Sequence, residues 1–225
     1  MPQTQQVIKA TLPVMFGYIP LGIAFGILFQ NLGYAWYFAP LMGIIVFAGA
    51  AQFMAVGLLA ANAGLFEIFA ATLILNSRHM FFGLSVLNRY TAKGWRKLYM
   101  IYTLTDETYS LVTSTQPPEG SDSNRYYLMI SALNHSYWVI GCAIGALLGS
   151  RITFDSTGMD FALTALFTVL MIEQWKQVKE SFPFVVALIA GLMSIMLWPQ
   201  HMLIAAIGLS LLVLIFQARV KGEIG

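Results

Sequence analysis

Residues 10–66 read ATLPVMFGYIPLGIAFGILFQNLGYAWYFAPLMGIIVFAGAAQFMAVGLLAANAGLF, 57 consecutive positions between Lys9 and Glu67 without an Asp, Glu, Lys or Arg. A helix crossing about 30 Å of hydrocarbon takes about 20 residues. The stretch therefore holds two helices and a turn, and no soluble surface has this composition. The same scarcity recurs between Ser181 and Ala218, where His201 is the only Asp, Glu, Lys, Arg or His, and between Tyr126 and Ser150, where His135 is. Only 10% of the 225 residues are charged, against 58% apolar, whereas a soluble domain carries about 25% charge.

These counts exclude several classes. A net charge of +2 supplies no basic patch for nucleic acid. Cys142 is the only cysteine, so there is no internal disulfide, and no Cys/His array suggests zinc. No cofactor is expected. The opening MPQTQQVIKATLP lacks a basic n-region and a small-residue cleavage site. The chain reads as one all-α polytopic membrane domain over 1–225, with seven or eight hydrophobic segments near 12–30, 36–61, 65–87, 98–115, 126–149, 160–176, 182–197 and 199–217.

Arg89, Lys93, Arg96 and Lys97 put the segment 88–97 in the cytoplasm, and Lys9 weakly puts the N-terminus there too. Three full crossings between them would place the two on opposite sides. Either the N-terminus is outside or one early segment fails to cross. The second segment is the expected exception, because Pro40 and the run Ala48-Gly-Ala-Ala-Gln52 mark it for a broken helix. A weak repeat points the same way: Gly22-Ile-Ala-Phe-Gly26 matches Gly141-Cys-Ala-Ile-Gly145, Phe38-Ala-Pro-Leu matches Phe161-Ala-Leu-Thr, and Gln52-Phe53 falls near Gln174-Trp175. Chance similarity among apolar helices is the alternative. If the repeat is real, an odd number of crossings between halves 10–90 and 126–218, joined by 91–125, makes it inverted, with substrate held at discontinuous helices.

A charge at the centre of a spanning helix costs about 2.5–3.5 kcal/mol on insertion scales, so intramembrane charges are the functional candidates. Asn76-Ser-Arg-His79 interrupts an apolar segment; Asn76 and His79 share a helix face, and Arg78 offers a fork matched to a carboxylate. The plain alternative is a helix ending near Leu75 with Arg78 snorkelling to an interface. Asp106 and Glu107 sit on a segment where Tyr99, Tyr102, Thr103, Tyr109, Ser110 and Thr113 form a polar stripe, which must face protein or water. A structural ion pair with Arg78 is the alternative there. Asn134-His135 with Trp138, and Glu173-Gln174-Trp175, form a third group, in which His135 and Trp138 also suit the headgroup level and Glu173 a membrane-edge pair with Lys176. His201, after Trp198-Pro199, reads as structural.

Gly17-Tyr-Ile-Pro-Leu-Gly-Ile-Ala-Phe-Gly26, Phe47-Ala-Gly-Ala-Ala-Gln-Phe53, Leu75-Asn-Ser-Arg-His-Met80, Thr105-Asp-Glu107 and Asp160-Phe-Ala-Leu-Thr-Ala-Leu166 together resemble the AzlC family, the large subunit of bacterial branched-chain amino acid exporters. The resemblance covers nearly the whole chain. It implies a multi-pass protein of the bacterial inner membrane, a small AzlD-like membrane partner subunit, and export of valine, leucine, isoleucine and sometimes methionine by proton antiport.

On that basis a neutral amino acid needs an acid, hydrogen-bond donors and an apolar wall. Gln52, Asn76, Arg78, Asp106 and Asn134 are the substrate-binding candidates, with Arg78 and Asn76 for the carboxylate. His79, Asp106, Glu107 and Glu173 are the proton-coupling candidates. The rival classes are an intramembrane enzyme or haem protein using His79 and His135, and a passive channel.

Overall fold

The computed structural model describes residues 3–151, 168, 171, 172, 175 and 180–220, and at 78, 80, 81, 200, 203 and 204 the backbone alone. The described residues form ten α-helices and one 3-10 turn, in two units: 1–62 with 74–156, and 63–73 with 157–225. Ten helices stand where seven or eight segments were expected because three apolar segments each break in two. Apart from residues 168, 171, 172 and 175, the expected segment 160–176, with Glu173, Gln174 and the repeat match at Phe161, lies outside the described residues.

Helix α1 (Gln3–Gln30) and helix α8 (Ser123–Arg151) are long and apolar enough to cross a membrane. Asp122 starts α8, its carboxylate accepting the Asn124 N–H at 2.9 Å. The two helices run parallel. Gln3 Nε2 donates to the Asp122 carbonyl at one end (2.8 Å), and Gly149 meets Gln30 at the other. Between these ends the backbones touch: a Cβ on Gly22 would lie 3.0 Å from Gly141 Cα, and one on Gly145 would lie 2.1 Å from the Ile23 carbonyl oxygen. Only glycine permits that approach.

The matched motifs of the repeat are thus each other's packing partners, and the same spacing pairs Tyr18 with Tyr137 and Ala24 with Ala143. An inverted relation would make these two helices antiparallel. This pair therefore does not carry the inversion expected of the two halves.

Two helical hairpins enter from opposite ends of the α1–α8 pair. Helix α2 (Phe38–Ile45) leaves the Gln30 end of α1, where Tyr34 stacks on Phe29 at 5.4 Å. It descends past Cys142 and Trp138 to a turn at Val46–Ala48, where the Phe47 ring lies 4.5 Å from His135 and 6.4 Å from Tyr18. Helix α3 (Gly49–Ala60) climbs back, with Gly49 against Trp138 and Phe53 5.7 Å from Phe25. Phe47 takes φ 40°, a conformation that side chains rarely adopt. Pro40, in the first turn of α2, breaks nothing.

The second hairpin enters from the Gln3 end. Helix α6 (Trp95–Tyr102) starts beside a buried cluster of Val7, Val86, Tyr90, Ala92, Tyr126 and Ile130, rises to Thr103–Thr105, and turns. Helix α7 (Asp106–Ser114) returns Val112 to the same cluster. The segment near 98–115 was expected to be one helix with a continuous polar stripe. The turn splits that stripe, leaving Tyr99 and Tyr102 on one arm and Tyr109, Ser110 and Thr113 on the other. At 1.5 Å per residue these arms are about 12–14 Å long, half of a spanning helix.

Helix α4 (Leu65–Asn76) gives way at Ser77 to helix α5 (Arg78–Val86). Helix α5 lies beside α7 and runs the same way: Phe82 stacks on Tyr109 at 4.6 Å, and Arg89 Nη1 donates to the Val112 carbonyl at 2.8 Å, a cation placed on the last turn of α7. Between Asn62 and Val86 the chain therefore passes from the Gln30 end to the Gln3 end. The loop carrying Arg89 and Lys93 lies at the end where α1 begins, Thr91 bonding Asn124 at 3.1 Å. With the second segment turned back at Val46–Ala48, the start of α1 and the Arg89–Lys93 loop lie at the same end.

In the second unit, helix α9 (Phe182–Leu197) ends at Trp198, the residue before Pro199. A 3-10 turn over Pro199–His201 leads into helix α10 (Met202–Val220), which packs on α9. His201 occupies that junction, the structural position expected of it.

Candidate functional site

The hairpin tips meet at the middle of α1. Tyr18 is 6% exposed. Its ring packs edge-on against Trp138 at 5.5 Å and against Phe47 of the first tip. Its hydroxyl donates to Glu107 Oε2 at 2.6 Å and lies 2.7 Å from Thr105 Oγ1, both on the second tip. Thr105 caps α7 by accepting the Thr108 N–H at 3.2 Å. The Thr108 hydroxyl accepts from Asn134 Nδ2 at 3.0 Å, tying the second tip to α8. The tips also touch directly, through a hydrogen bond from the Tyr102 hydroxyl to the Ile44 carbonyl.

On the other side of Trp138, its indole N–H donates to Gln52 Oε1 at 2.8 Å. Gln52 and Asn134 are both fully buried. Each spends one amide atom on this scaffold. Among the described residues Asn134 Oδ1 is left without a hydrogen-bond partner, and Gln52 Nε2 meets the Cys142 sulfur, a weak acceptor. Buried polar atoms in that state are uncommon and cost about 1–3 kcal/mol each.

Three half-helices begin at this depth: α3 at Gly49, α5 at Arg78 and α7 at Asp106. Each directs the positive end of its dipole toward mid-helix. Among the described residues no side chain caps α3 or α5.

The candidates fall as follows. Gln52, Asp106, Glu107 and Asn134 come together around Tyr18 and Trp138. Arg78 begins α5 at about the depth where Asp106 begins α7; its side chain is outside the described residues. Asn76 ends α4, and His79 bonds back to the Asn76 carbonyl at 3.2 Å across the break at Ser77, with its ring 5.9 Å from Phe82. Glu173 lies outside the described residues.

Trp138, for which an interfacial anchor was one of two readings, is 3% exposed and holds Gln52. His135, for which the headgroup level was one of two readings, sits at the hairpin tips, with Nδ1 3.0 Å from the Tyr99 hydroxyl. His79 and His135, the pair considered for haem, make these contacts with different elements. Tyr18 and Phe47 had been given no role, and Thr105 and Thr108 had been noted only as flanking Asp106 and Glu107. Tyr18 stands in a quoted motif, but only its depth against the two breaks reveals its role.

A model of the family described as AzlC protein matches residues 13–152. The branched-chain amino acid transport protein AzlC of Bacillus subtilis is 35% identical over 202 residues, 90% of this chain and 80% of its own length. An uncharacterized membrane protein of Helicobacter pylori is 40% identical over 167 residues, covering 74% of this chain and 73% of its own. The inner membrane protein YgaZ of Escherichia coli K12 is 27% identical over 197 residues, 84% and 80% of the respective lengths. No solved structure matches. These relatives and the apolar helices make this a membrane protein, and the match over α1 to α8 includes every element at the hairpin tips: the chain belongs to the AzlC family.

Proposed function

We propose that this chain is a secondary transporter subunit exporting branched-chain amino acids by proton antiport, with the substrate held where the two hairpin tips meet. One observation carries the reading: two hairpins entering from opposite ends stop at Tyr18, and half-helix N-termini, two carboxylates and two buried amides gather there. Discontinuous helices of this kind form midplane substrate sites in secondary transporters.

A branched-chain amino acid presents a carboxylate, an ammonium and an aliphatic chain. The uncapped start of α3, Gln52 Nε2, Arg78 and Asn76 supply donors for the carboxylate. Asp106 and Asn134 Oδ1 accept from the ammonium, and Phe25, Phe47 and Trp138 form an apolar wall. Glu107 or Asp106 carries the proton, with His79 and Glu173 as further relays. The Gln3 end, with Lys9, Arg89, Lys93, Arg96, Lys97 and Arg125, is cytoplasmic by its charge. A small AzlD-like subunit completes the transporter.

The test is efflux of labelled leucine from vesicles holding this chain with and without the small subunit, across a varied pH gradient. Efflux that follows the imposed gradient supports antiport. Leucine leakage indifferent to that gradient replaces it with a passive channel.

A further inference from the structure

We propose that Tyr18 is a positioning residue that latches the α6–α7 hairpin shut, and that neutralising Glu107 releases the latch. The proposal deepens the transport reading and rests on it for its consequence, while the latch itself is measurable without transport.

Tyr18 is a fixed point, because α1 is pressed backbone to backbone against α8 at Gly22, Gly26, Gly141 and Gly145. The α6–α7 hairpin has two short arms, and the Tyr18 hydroxyl reaches the first turn of its second arm twice, at Thr105 and at Glu107. The single phenolic proton goes to Glu107. Thr105 and Thr108 complete the chain of hydroxyls to Asn134, so the cap of α7 and the latch share atoms. A hydrogen bond to a carboxylate is about twice as strong as one between neutral groups. Placing a proton on Glu107 therefore weakens a contact that joins the tip to α1 through a charge.

The other titratable groups at this depth on the elements packed against α7 are Asp106 beside Glu107, Arg78 and His79 at the start of α5, and His135 on α8. Glu107 is the one the phenol reaches. Because the Tyr18 ring also seats Phe47 of the opposite hairpin, one side chain registers both tips. Releasing α6–α7 while α2–α3 stays seated opens the site toward the Gln3 end alone.

Amide hydrogen exchange of the protein in lipid nanodiscs reads the latch directly. Tyr18→Phe keeps the ring and removes the hydroxyl; Glu107→Gln keeps the shape and removes the charge. Each is expected to speed exchange over residues 95–114 by about tenfold, the change that loss of one charge-assisted hydrogen bond gives. Residues 38–60 stay at the wild-type rate, and the double variant is no faster than either single one. Wild-type exchange over 95–114 in either variant overturns the proposal. If Tyr18→Phe loosens α1 and α8 as well, it has damaged the fold, and Glu107→Gln alone decides. A loosened hairpin in a protein that moves no leucine removes the transport reading and leaves the latch standing. Gradient-driven leucine efflux with an unchanged hairpin does the reverse.

Discussion

Trp138 donates its indole N–H to Gln52 Oε1 at 2.8 Å, with both side chains buried. This bond commits the amide oxygen to Trp138 and turns the nitrogen toward the Cys142 thiol. Trp138→Phe strands that oxygen, at a cost of about 1–3 kcal/mol. The variant is expected to unfold at lower temperature in detergent. Gln52→Met keeps the length and strands the indole N–H in turn, so it too lowers stability, but it is expected to abolish leucine efflux as well. Thermal unfolding followed by size-exclusion chromatography, beside vesicle efflux, separates the two. Wild-type efflux in Gln52→Met removes Gln52 from the site.

Gly145 and Gly57 make a matched pair of tests. A Cβ on Gly145 meets the Ile23 carbonyl oxygen at 2.1 Å, whereas one on Gly57, within α3, meets nothing within 4 Å. Gly145→Ala forces α1 and α8 apart and is expected to leave little folded protein after purification. Gly57→Ala is neutral or gains up to about 1 kcal/mol from helix propensity. Equal yields and midpoints for the two variants contradict the backbone contact.

Topology gives a third test. With Cys142 replaced by serine, single cysteines at Gln3 and Thr91 are expected to react with a membrane-impermeant maleimide from the cytoplasmic side, and one at Leu32 from the other. Labelling of Gln3 and Thr91 from opposite sides requires α2–α3 to cross fully, and would dismantle the hairpin.

Tyr90, in the loop before α6, supplies a pH dependence. Burial pushes its phenol above the ordinary value near 10. A tyrosine that ionises more readily unfolded than folded contributes stability that is complete below pH 10 and declines as pH rises beyond it. Tyr90→Phe is expected to flatten the fall in unfolding temperature between about pH 9.5 and 11. Parallel curves for the two proteins would assign that fall to other groups.

Much of this arrangement was legible in the residues. Charge scarcity gives the helices, and Arg89 and Lys93 against Lys9 reveal that one early segment turns back. Gly22 and Gly141 give a pair of related helices, but not their direction, because a motif match carries no sense of up or down. The break at Thr103–Thr105 escaped because Tyr99, Tyr102, Thr103 and Tyr109 keep helical spacing across it. Thr105 is a helix cap in its local pattern, with the acids Asp106 and Glu107 following as a first turn favours. Tyr18 was hidden for a different reason. A tyrosine amid apolar helix signals nothing until two breaks, 29 and 87 residues away, are placed beside it.

The shared reliance of both tips on α8 sets the order in which the protein assembles. A ribosome delivers Phe47 and Thr105 to the bilayer before Trp138 and Asn134 exist. Until they arrive, Gln52 and Thr108 at the two tips lack the α8 side chains that bond them, and lipid offers no replacement. Neither hairpin is therefore expected to hold its final depth during synthesis. A nascent chain stalled before Ser123 keeps its half-helices near the water interface, and they sink into place only as α8 inserts along α1.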